Sequence, residues 1–151
     1  MKDLTIKCLV DSDLPLFLEL IRLFEEVFEM ENFAMPPETH LQQLLRKPGF
    51  MAFVAQKNGA VVGGLTAYVL DQYYSLKPLA YIYDLAVAVP LQRQGIGKAL
   101  IEAINQHCRE QGFEEIFVQA DRVDDYALSF YRSTRPTGEE DVLHFTYGLE
   151  G

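Results

Sequence analysis

The chain has 151 residues, with 13 Lys+Arg against 22 Asp+Glu and a formal net charge of −9. At 49% hydrophobic and 23% charged residues, the composition is that of a globular chain with a core to bury, which excludes intrinsic disorder, and the length fits one domain, residues 1–151. The acid excess leaves no basic face for nucleic-acid phosphates and favours cationic partners, although solubility alone also accounts for it.

Residues Leu4 to Leu9 alternate as a strand, and Ser12 or Asp13 is placed to cap the amphipathic run PLFLELIRLFEEVFEM as a helix. The segment ENFAMPPETHLQQLLRKPG breaks at Pro36-Pro37, recaps near Thr39 and gives a short helix that stops before Pro48-Gly49. In FMAFVAQKNGAVVGGLTAYVL two apolar runs meet at Asn58-Gly59, the strongest short hairpin signal. A loop then leads to YIYDLAVAV, whose Tyr, Ile and Val content suits a sheet interior. QRQGIGKALIEAINQHCREQG changes to helical period and ends at Gly112 as a C-cap. EEIFVQA reads as a strand, DDYALSFYRS as a helix capped by Asp124 or Asp125, and VLHFTYGL as a closing strand. No repeat or linker interrupts this order, which predicts an α/β or α+β domain with helices covering a mixed sheet.

Cys8 and Cys108 form no CxxC pair, and His40, His107 and His144 are scattered, so neither a disulfide scaffold nor a metal centre is expected. The opening MKDLTIKCLV carries Asp3 where an export signal wants positive charge, and the apolar runs are too short to span a bilayer, giving a cytoplasmic expectation.

The stretch Gln92-Arg93-Gln94-Gly95-Ile96-Gly97 lies between the end of a strand and the opening of a helix. Main-chain N–H groups at such an opening have no intrahelical acceptor, the helix dipole is positive there, and glycines let a diphosphate approach the backbone. The spacing is neither the dinucleotide fingerprint nor a P-loop, and a plain glycine-rich turn is the competing reading.

The pattern Q/R-x-x-G-x-G/A after DLAV resembles the acetyl-CoA site of the GCN5-related N-acetyltransferases (GNAT), and the order of elements is similar over nearly the whole chain. The stretches VVGGLTAYVLD, YIYDLAVAV, RQGIGKALI and IFVQADRVDDYALSFY resemble most the gentamicin-type aminoglycoside 3-N-acetyltransferases. The resemblance implies a GNAT fold whose mixed central sheet has about six to seven strands with helices on both faces. It further implies an acetyl-CoA-dependent, metal-free transfer to the 3-amino group of a 2-deoxystreptamine antibiotic by direct attack, conferring resistance, in an enzyme that forms a homodimer. Residues 132–138 depart from the family's pattern where Leu-Gly would follow the tyrosine, which puts the acceptor in doubt. Another amine (a polyamine, a small metabolite or a protein amine) or a non-catalytic coenzyme A-binding domain are the alternatives.

By the same resemblance, Leu85, Ala86 and Val87 would pair with the pantetheine arm as an added strand, beside a bulge that frees an N–H, of Leu85 or Ala86, for the thioester oxygen. Gln92, Arg93, Gln94, Gly95, Ile96, Gly97 and Lys98 would take the diphosphate, with Asp124 also at the cofactor. Tyr131 matches the family tyrosine near the sulfur and is expected to be the general acid. Asp84, the one carboxylate inside the signature strand, is expected to accept the ammonium proton or to orient the amine, and a structural hydrogen bond is its competing role. Asp121, Asp125, Glu139 and Glu140, with Asp84, would line an acidic trough for a cationic acceptor. For Asp124 and Asp125 helix capping competes, and for Tyr73, Tyr74, Tyr81 and Tyr83 sheet packing competes with a place in the acceptor wall.

Overall fold

The computed structural model describes residues 3–150. They form two compact units, one ending at Gln119 and one starting at Ala120. The first carries β1 (Leu4–Cys8), α1 (Leu14–Val27), α2 (Glu38–Arg46), β2 (Phe50–Lys57), β3 (Ala60–Leu70), β4 (Leu79–Val87), α3 (Ile96–Glu110) and β5 (Glu115–Val118). The second carries α4 (Asp125–Ser133).

The sheet has five strands in the order β1-β2-β3-β4-β5, antiparallel except for the parallel pair β4 and β5, so the mixed α/β arrangement is as expected and the strand number is smaller. Asn58 (φ 53°) and Gly59 (φ 82°) both sit in the left-handed region, the requirement of the tight turn that matches strand twist. Strand β2 is covered on both faces because its alternate residues meet different helices. Phe50, Ala52 and Val54 join Phe17, Leu20, Phe24 and Leu41 of α1 and α2 in one core cluster. On the opposite face the Phe53 ring meets His107 of α3 at 5.6 Å.

Helix ends follow local chemistry. Helix α3 stops with Phe113 N–H donating to Cys108 O and Gly112 N–H to Arg109 O, with Gly112 at φ 79°, which satisfies the last carbonyls. At the start of α1, Asp13 occupies the cap position, but its carboxylate turns back to accept from Val10 N–H and Lys7 Nζ, both at 2.8 Å. The preceding residues Asp11–Asp13 wind as a 3-10 turn.

The expected closing strand VLHFTYGL is absent: no strand follows α4 in the described residues. Leu143, Phe145, Tyr147 and Leu149, the apolar side of that alternation, are all exposed. A period of two fixes which face a strand would bury, but the strand forms only if a neighbour supplies main-chain hydrogen bonds.

Candidate active site

Strand β4 carries the site because its two edges behave differently along its length. On one edge it pairs with β3 throughout, from Leu70↔Leu79 to Gly63↔Val87. On the other it pairs with β5 only from Leu79↔Glu115 to Ile82↔Val118. The five residues that follow Ile82 in β4 therefore have no ladder partner on the β5 side.

Ala88 N–H donates to Val62 O at 2.8 Å, so the even-numbered residues here turn their main-chain groups toward β3. By alternation, Leu85 and Val87 turn theirs to the open edge, where the Gln92 side-chain amide already donates to Val87 O at 3.0 Å. Of the two N–H groups expected to serve an oxyanion, that of Leu85 faces the open edge and that of Ala86 faces β3.

The bulge lies two residues before Leu85. Thr66 pairs with Asp84 and Ala67 with Ile82, leaving Tyr83 as the extra residue of β4. The insertion turns Asp84 to the same side of the sheet as Tyr83. Asp84 is half-buried, and burial raises its carboxyl above the ordinary carboxylate value. Burial is also the main cause that raises the Tyr68 phenol, with the charges of Tyr83 and Asp84 adding to it.

Beyond β4 the chain makes a 3-10 turn, Val89–Leu91, and re-enters a helix at Ile96. Arg93 (φ 65°) and Gly95 (φ 92°) hold left-handed conformations, and Gly95 is the N-cap of α3. The first intrahelical bond at this end runs from Ala99 N–H to Gly95 O, so the N–H groups of Ile96, Gly97 and Lys98 have no acceptor within the helix. Ile96 and Gly97 are buried, whereas Arg93, Gln94 and Lys98 are exposed. Gly63 keeps this corner tight: a Cβ there would stand 3.1 Å from Ala86 O and 3.2 Å from Ile96 Cγ2. The open strand edge and this helix start suit the two ends expected of acetyl-CoA, an amide-bearing arm and a diphosphate.

In the second unit three acids are engaged locally. Asp124 caps α4, its carboxylate accepting from Ala127 N–H at 3.0 Å. Glu139 takes two hydrogen bonds from Arg132, at 3.0 and 2.9 Å, which hold its carboxyl below the ordinary value. Arg122 pairs with Asp141. Asp121, Asp125 and Glu140 are exposed, and Tyr131 is half-buried on α4 against Phe130, ring centres 4.9 Å apart. Sequence reasoning missed Thr66, which pairs with Asp84 across the ladder, and Tyr68, whose phenol feels the Asp84 charge. The signal for both was their even spacing from Gly64 in β3, which assigns all three to one face.

No helix among the described residues is long and apolar enough to cross a membrane, and none of their His, Cys, Asp and Glu groups suits a metal ion. Residues 17–134 match the model of the acetyltransferase (GNAT) family. The solved structure of an aminoglycoside acetyltransferase, meta-AAC0020 from an uncultured soil metagenomic sample in complex with sisomicin, is 63% identical, with TM-score 0.97 over 98% of this chain and 97% of that one. A second soil metagenomic aminoglycoside acetyltransferase, HMB0005, is 35% identical, with TM-score 0.90 over 97% of this chain and 99% of that one. Human N-acetyltransferase 8 is 29% identical over 118 residues, 70% of this chain and 52% of that protein. The chain spans about half the length of the curated relatives it matches. With the open edge of β4 running into a glycine-capped helix and the family match extending from α1 through α4, the chain belongs to the GNAT family of acetyltransferases.

Proposed function

We propose that the protein transfers the acetyl group of acetyl-CoA to an amine of an aminoglycoside, at the 3-amino group of the 2-deoxystreptamine ring. The observation that carries this reading is the 63% identity, over 98% of the chain, to an acetyltransferase solved with sisomicin. The half-buried Asp84 beside the open edge of β4 gives it a chemical rationale.

Bound acetyl-CoA supplies an activated acyl group as a thioester. Leu85 and Val87 hold its arm by main-chain hydrogen bonds along the open edge, and the N–H groups of Ile96, Gly97 and Lys98 receive its diphosphate, with Arg93 and Lys98 adding charge. Asp84 accepts the proton released as the amine attacks, and its raised carboxyl makes it a better base than an exposed aspartate. Leu85 N–H stabilises the oxygen that gains charge, and Tyr131 gives its phenolic proton to the departing sulfur. The reaction thus forms one C–N bond, breaks one C–S bond and needs no covalent enzyme intermediate. Resistance of the host cell, from a cytoplasmic enzyme acting as a homodimer, is part of the same proposal.

The test is purified protein with acetyl-CoA and sisomicin or gentamicin, followed by thiol release and by NMR of the product. Thiol release with the acetyl group on the 3-amino nitrogen is expected. Release with another nitrogen acetylated overturns the regiochemistry, and release only with polyamines or peptide amines overturns the acceptor class.

A further inference from the structure

An unbroken row of aromatic rings crosses the sheet face that holds Asp84. Phe17 of α1 lies 5.8 Å from Phe50, Phe50 5.4 Å from Tyr68, and Tyr68 5.8 Å from Tyr83. Tyr83 in turn is 6.0 Å from Tyr81, which stacks on Phe117 at 4.8 Å. One end is anchored in the core, where Phe17 is 2% exposed, and the other by the Tyr81 hydroxyl donating to Gln119 Oε1 at 3.0 Å.

Within this row Tyr83 is the most exposed ring, at 60%, yet it is held from both sides by rings that meet it at 88°. An exposed side chain normally keeps its rotamer freedom, and fixing it costs entropy that binding then does not have to supply. Tyr83 is also the bulge residue, so the same insertion that turns Asp84 onto this face sets the ring immediately before it.

We propose that Tyr83 is a preset stacking platform for the acceptor, receiving the C–H face of a saturated, polyaminated ring while Asp84, the next residue, takes the amine to be acetylated. The proposal rests on the aminoglycoside reading above and adds the residue that would discriminate ring-borne amines from others. Aromatic rings suit this task because a flat apolar face covers ring C–H groups at little conformational cost, and a nearby ammonium is attracted to the same π system.

The experiment measures sisomicin KM and kcat, and acetyl-CoA Kd by calorimetry, for the wild type, Tyr83→Leu and Tyr83→Phe. Tyr83→Leu is expected to raise the sisomicin KM about two- to fivefold, the range of one exposed aromatic contact, with acetyl-CoA Kd unchanged from wild type. Tyr83→Phe, which keeps the ring, is expected to recover most of that loss. A Tyr83→Leu variant with wild-type KM overturns the platform alone. So does a Tyr83→Phe variant as impaired as Tyr83→Leu, which would assign the effect to the hydroxyl, or a parallel loss of acetyl-CoA affinity, which would assign it to the fold. A wild-type enzyme that does not use sisomicin overturns the acceptor reading, and the platform with it.

Discussion

Asp84 is placed at a cost. A half-buried carboxylate whose pKa is raised by desolvation is less stable as an anion in the folded chain than in the unfolded one. The sign follows: the penalty is fully present above the raised folded pKa and is relieved as pH falls through it. Asp84→Asn is therefore expected to raise the melting temperature at pH 7–8 while lowering kcat/KM by about 10²- to 10⁴-fold, the range for loss of a general base. Acetyl-CoA affinity should be retained. In the wild type, the acidic limb of the pH–rate profile should lie above the usual carboxylate value near 4, because activity needs the ionised form. A melting temperature that falls in Asp84→Asn would assign the carboxylate to a structural hydrogen bond instead.

At the scale of elements, the site depends on how closely β3 lets its neighbours approach. Gly64 faces α1, and a Cβ there would come within 2.4 Å of Leu20 Cδ1 and 2.6 Å of Phe53 O, the second a main-chain atom that cannot swing aside. Gly64→Ala should thus destabilise by about 1–3 kcal/mol or more, measured by denaturant unfolding, as overpacking of a fixed core does. An unchanged midpoint would mean that β3 slides to make room. Sequence alone marked the Asn58-Gly59 turn and the Gly112 helix end because each depends on a few adjacent residues. The strand-to-helix corner at Gly95 was legible for the same reason. The resemblance implied a bulge beside Leu85–Val87, but its place at Tyr83 was not legible, because it is a mismatch of register between β3 and β4 that neither strand shows when read singly. Nor was the fate of residues 142–149, whose pattern sets a face without supplying a partner strand. Asp124 shows the intermediate case: capping and ligand contact both fitted the sequence, and the bond to Ala127 N–H shows the cap.

Over the whole molecule, the charge of −9 is uneven in its consequences. Several acids are internally compensated: Asp13 by Lys7, Glu139 by Arg132 and Asp141 by Arg122. These pairs leave little field beyond their own surroundings, so Glu139 contributes less to attracting a cation than its position in the sequence suggested. The net excess still acts at long range, and salt separates it from short-range contacts, because screening lengths fall from about 10 Å at 0.1 M to about 3 Å at 1 M. If the cationic acceptor is drawn in by that excess, its KM should rise several-fold, roughly three- to tenfold, between about 0.05 and 0.5 M NaCl. The acetyl-CoA KM should change less, since salt weakens together the local attraction of Arg93 and Lys98 and the repulsion of an anion by the acidic surface. Steady-state assays with each substrate varied at saturating levels of the other measure both slopes. A flat acceptor response would move the recognition of the amine from the overall charge to the contacts at Asp84 and Tyr83, whereas equal slopes for the two substrates would point to a salt effect on the fold.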